Sequence, residues 1–166
     1  RWGINAGYMV RPSAAAHDGA MALALIGLFN IVGSYAAGRL GGRFSKKTLL
    51  SGMYGVRAAA IALLLIFPLT PWLLAVFSSA IGLVWLGTVP LTVGLVGHIY
   101  GMRYAATLSG IVFLGHQIGS FVGVWLGGKL YVATGSYDVV WWMALGLGVM
   151  AAALSLPIRE RPLAAA

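Results

Sequence analysis

Residues 115–128 read GHQIGSFVGVWLGG and set an imidazole beside a carboxamide, His116 and Gln117, in an otherwise apolar stretch. An imidazole titrates near neutral pH, so His116 can carry a proton or offer a cationic donor to a carboxylate. Gln117 can both donate and accept, but on a helix it points about 100° away from His116. Arg57 is the single charge in residues 48–67, and an anion is its natural ligand. Asn30 lies midway along residues 19–38. WLGTVPLTVG, residues 85–94, joins Trp85, Thr88 and Thr92 to a proline, Pro90, that removes a backbone donor and frees a carbonyl one turn earlier. Each group also has a purely structural use. His116, Gln117 and Asn30 can join two helices by a hydrogen bond, at about 0.6 kcal/mol each. Arg57 can be packed against carbonyls, water or an acid elsewhere. Pro90 can be a kink that neighbours re-satisfy.

Other chemistries find no residues. The three acids lie outside the apolar blocks, and neither H-E-x-x-H nor G-x-S-x-G occurs, so no enzyme site is expected. With no cysteine there is no disulfide or thiolate metal site, and neither metal nor cofactor is expected. The net charge of +8 is spread over several loops without an aromatic platform, which argues against nucleic acid as a partner.

The elements that must hold these residues follow from composition. The chain is 60% hydrophobic and 8% charged, whereas a globular domain is nearer one quarter charged. Residues 19–38, 48–67, 72–97, 105–128 and 139–158 form apolar blocks, each long enough to cross a hydrocarbon core of about 30 Å as a helix. The expected fold is all-α: a polytopic membrane helix bundle of five full transmembrane helices, with the lipid bilayer as its solvent. Gly115, Gly119, Gly123 and Gly127 then form a small-residue ridge. Helices in lipid associate by close backbone approach, so the ridge is expected to meet a neighbouring helix.

Charge sets the orientation. Arg39, Arg43, Lys46 and Lys47 follow the first block, Arg103 lies between the third and fourth, and Arg159 and Arg161 follow the fifth. The alternate loops hold PLTP, residues 68–71, and Lys129. The positive-inside rule places the C-terminus in the cytoplasm and residue 18 outside. Residues 1–18 are too short in their apolar run to span and read as a stub, a remnant of a preceding transmembrane helix. Residues 19–160 form the bundle, and 161–166 a cytoplasmic tail.

GRLGGRFSKK, residues 38–47, resembles the short loop after the second helix of each six-helix half in major facilitator superfamily transporters. Gly38, Arg43, Lys46 and Lys47 match that motif, while Gly42 stands where the family usually has Asp and Ser45 where it has Gly. GGKLYVATGSYD, residues 127–138, is similar to the region after the eleventh helix in bacterial monocarboxylate-transporter-like members, with Val132 in place of an Asp. The resemblance implies most of the C-terminal half of a twelve-helix secondary transporter in a bacterial inner (plasma) membrane. Its expected partners are a small-molecule substrate and the missing N-terminal six-helix half. The substrate site would lie near the midplane between the halves. The implied substrate is a monocarboxylate or other organic anion, coupled to protons or exchange. His116, Gln117, Trp85, Thr88, Thr92, Asn30 and Arg57 are the candidates to bind it or carry the proton. The competing expectation is a truncated or stand-alone membrane protein that acts as an assembly subunit without transport.

The orientation has a direct test. The chain lacks cysteine, so single cysteines introduced at Ser45 and at Ser136 can be labelled without background. They should react from opposite faces of the membrane, Ser45→Cys from the cytoplasmic one, and labelling of both from one side would exclude the five-span arrangement.

Overall fold

The computed structural model describes residues 12–162. Six helices follow in order: α1 Pro12–Gly41, α2 Lys46–Ile66, α3 Pro71–Trp85, α4 Thr88–Tyr100, α5 Met102–Thr134 and α6 Asp138–Ser155. No strand occurs among the described residues. Taken together, α3 and α4 are one span, Pro71–Tyr100, so the helices long and apolar enough to cross a membrane number five. The fold class read from composition is therefore the one observed. The first helix begins at Pro12, ahead of the block expected from residue 19. Residues 1–11 of the expected stub and 163–166 of the expected tail lie outside the described residues.

Local chemistry sets the helix ends. Ser45 caps α2, its hydroxyl accepting from the Thr48 amide at 3.5 Å and from the Thr48 hydroxyl at 3.1 Å. Thr70 caps α3 by accepting from the Leu73 amide at 3.1 Å, and Pro71 follows, where its missing N–H costs nothing. Between α4 and α5 the chain turns on Gly101, at a φ of 81° that L side chains disfavour. Gly135 ends α5 in the left-handed region, with its amide on the Tyr131 carbonyl at 2.8 Å.

The helices pair by small residues. Along the α1–α3 contact, Gly33 lies against the Leu83 backbone, and a Cβ at Gly82 would sit 2.6 Å from the Ile26 carbonyl oxygen. Gly87 fits against Ala37, which is 2% exposed. Where α2 meets α6, a Cβ on Gly148 would come within 3.4 Å of the Ala58 Cβ. The Ser51 hydroxyl donates to the Ala152 carbonyl at 2.8 Å across the same pair. At the end shared by the C-termini of α1 and α4 and the start of α2, Ala37, Leu50, Leu91 and Leu95 form a buried cluster with Met53, Ile99 and Ile158 packed on it.

The ridge on α5 meets little among the described residues. No atom lies within 4 Å of a Cβ built at Gly115, Gly119 or Gly123, and only Gly127 meets a neighbour, Val140 at 3.8 Å. The physical reason is the position of α5. It joins the bundle through α4 and, near its other end, α6, which leaves its middle without a neighbour among the described residues. Spacing identifies a helix face suited to close approach but not which helix comes near. In this chain the close approaches fall to Gly33, Gly82, Gly87 and Gly148 instead.

This distribution gives opposite outcomes for two substitutions. Gly82→Leu forces a side chain into the α1 backbone and should cost about 1–3 kcal/mol or more. Gly119→Leu meets open space and should change stability by no more than about 0.5 kcal/mol. Thermal unfolding in detergent measures both, and equal losses would contradict the observed α1–α3 contact.

Candidate functional site

The third span breaks between Trp85 and Thr88, and Pro90 explains where. Residue 90 has no N–H, so the Leu86 carbonyl four residues earlier cannot receive its helical bond, and the ring would crowd it. That carbonyl instead accepts from the Val89 amide at 3.0 Å, a tighter turn. Gly87 occupies the tightest point, where a Cβ would lie 2.5 Å from Met53 Cε and 3.1 Å from Ala37 Cβ.

The break frees backbone groups on both sides, and side chains from two other helices meet them. The Leu86 amide donates to Asn30 Oδ1 of α1 at 3.2 Å. Arg57 of α2 donates from Nη2 to the Val84 carbonyl at 3.0 Å and more weakly to that of Trp85 at 3.4 Å. The Thr88 hydroxyl also reaches the Trp85 carbonyl at 3.4 Å, and Thr92 donates to the Thr88 carbonyl at 2.8 Å. Hydroxyl bonds of this kind favour a bent helix.

Arg57 sits with its guanidinium carbon 5.6 Å from the Trp85 ring centre and 5.7 Å from that of Tyr54. No carboxylate bridges to it among the described residues. A charge near mid-membrane costs about 2.5–3.5 kcal/mol on insertion scales. A hydrogen bond to a charged group contributes about 1.5–3 kcal/mol, and a desolvated cation–π contact up to about 2 kcal/mol. The negative end of the α3 dipole adds to these. Carbonyls and rings therefore suffice to hold this cation without an acid. Its Nε is buried and has no hydrogen-bond partner among the described residues.

The structure thus brings Asn30, Arg57, Trp85 and Thr88 together at one break, with Thr92 one turn on. Trp85 is 55% exposed, so one side of the break is open. His116 and Gln117 lie apart, exposed on the free middle of α5. The His116 carbonyl accepts from the Ser120 hydroxyl at 2.9 Å. An apolar groove between α2 and α3, lined by Val56, Leu63, Leu73, Val76 and Phe77 among others, includes none of these polar residues.

The basic loop shows a residue that sequence reading missed. Gly38 and Arg43 are exposed, while Lys46 and Lys47 open α2 and are partly covered. The Lys47 amide donates to the Glu160 carboxylate, from beyond the end of α6. An acid thus meets this loop from the other end of the sequence, although Gly42 supplies none locally. The signal available was indirect: Glu160 is the one acid among the basic residues of the C-terminal segment.

The chain matches the family model described as the Major Facilitator Superfamily over residues 6–166. No curated protein and no solved structure matches it.

Proposed function

The chain belongs to the Major Facilitator Superfamily, a family of membrane transporters, and we propose that it forms the C-terminal half of a secondary active transporter for a small organic anion. Monocarboxylates are the favoured class, driven by protons or by exchange, across a bacterial inner membrane with the C-terminus in the cytoplasm. The other six-helix half is the partner that completes the substrate site. The observation that carries the reading is the family match over a five-span bundle whose α5 leaves its polar pair uncovered.

The two candidate cations differ in availability. Arg57 already spends hydrogen bonds on the α3 carbonyls, behind Trp85. His116 stands on an open helix face with no side-chain partner among the described residues. Protonated, its ring offers charge and donors to a carboxylate, and loss of the proton weakens that hold. His116 is thus the proposed proton and anion contact, with Gln117 a neighbouring donor on an adjacent face. The broken third span supplies Trp85, Thr88 and Thr92 as further lining, since discontinuous helices mark transport sites in membrane proteins.

Uptake by the whole transporter, reconstituted in vesicles, tests the assignment. His116→Gln keeps hydrogen bonding but cannot carry the proton, so it should flatten the pH dependence of uptake at normal protein level. His116→Ala should lower uptake further. An unchanged pH profile in His116→Gln, with anion binding lost in Arg57→Gln, would move the anion contact to α2 and leave His116 as an interhelical hydrogen bond.

A further inference from the structure

Asn30 and Arg57 come from different helices, α1 and α2, yet serve opposite polarities of one break. Asn30 Oδ1 accepts the Leu86 amide, the donor left over after α3. Arg57 donates to the Val84 and Trp85 carbonyls, the acceptors left over at its end. Both are long-range contacts, separated by 56 and 27 residues from the backbone groups they meet. Both side chains are partly covered, and Gly33 and Gly82 bring α1 close enough for the short Asn30 side chain to reach.

We propose that Asn30 and Arg57 form a two-sided clamp that fixes the bend of the third span at Leu86–Gly87 and makes that point the hinge at which this half flexes. The hinge's part in transport rests on the function proposed above. In hydrocarbon a freed amide or carbonyl has no water to turn to, so the bend is held where partners exist. Changing the bend requires breaking the Asn30 bond, the Arg57 bonds, or both. Arg57 holds its side by a charge-assisted bond to Val84 at 3.0 Å and a longer one to Trp85, while Asn30 holds the other by a single neutral bond at 3.2 Å. Both are positioning residues: they set where Trp85 and Thr88 stand without touching the solute.

Amide exchange of the isotope-labelled chain in lipid nanodiscs tests the first side. Asn30→Leu has similar volume and no acceptor. It should speed exchange of the Leu86 amide about ten-fold, the equivalent of one ordinary hydrogen bond, while Leu95 in the buried cluster is unchanged. Equal Leu86 exchange in both proteins would overturn the clamp. A thermal-unfolding cycle with Pro90→Ala tests the second side and does not depend on Asn30→Leu. Alanine returns an N–H to the Leu86 carbonyl and permits a continuous helix that uses its own backbone groups. The midpoint lost on Arg57→Met should then shrink by roughly half or more in the Pro90→Ala background. An undiminished loss would make Arg57 a packing residue only. In the whole transporter, Arg57→Met should change the maximal uptake rate by about three-fold or more, with the half-saturating concentration unchanged. A change in the half-saturating concentration alone would make Arg57 a solute contact and overturn the hinge. If the unmodified transporter moves no organic anion, the proposed function fails, while exchange and the unfolding cycle still decide the clamp.

Discussion

Inside a bilayer every backbone amide and carbonyl must find a partner within the protein, and the arrangement of this chain follows from how that demand is met at Pro90. Four spans meet it by running as unbroken helices. The third cannot, because residue 90 has no N–H to give. Its open groups sit between α1 and α2, and those two helices carry Asn30 and Arg57 at matching depth. The demand also fixes distances. Asparagine is short, so α1 must lie nearly in backbone contact with α3, and Gly33 and Gly82 allow that. Ile26, Asn30, Gly33 and Ala37 recur at helical spacing on one face of α1, and each meets α3 or the start of α4. Packing and hydrogen bonding at this contact are one requirement.

How much of this was legible depends on the range of each signal. The spans were readable because apolar length is a local property of the chain. The break was readable for the same reason: Pro90, Gly87, Thr88 and Thr92 lie within one window. The clamp was not, since Asn30 and Arg57 meet that window from distant positions. Arg57 alone in an apolar block is consistent with an anion site and with a packed guanidinium, and its bonds to the Val84 and Trp85 carbonyls could not be read from the sequence. Glycine spacing has the same limited range. The densest repeat, on α5, has open space at Gly115, Gly119 and Gly123, whereas widely spaced Gly33, Gly82 and Gly148 lie in contacts. A repeat describes one helix, and a contact needs two.

The scarcity of acids ties these observations together. The chain has eleven Lys and Arg against three Asp and Glu. Asp18 lies beside His17 near the start of α1, and Asp138 opens α6, so neither serves the basic end of the bundle. Glu160 does, accepting the Lys47 amide at the positive end of the α2 dipole, while Ile158 anchors the same segment on the buried cluster. Arg57, within the membrane, is held by carbonyls and aromatic faces. The cation at mid-depth thus has protein partners that replace water, and the one acid at the basic loop accepts a backbone amide at the start of α2. His116 is the histidine within the apolar blocks, and with Gln117 it is exposed on the free middle of α5. An imidazole exposed on a lipid-length helix is costly unless water, solute or another helix meets it. The demand that explains Asn30 and Arg57 thus bears on α5 as well, and it is the physical ground for proposing solute recognition on the face that carries His116.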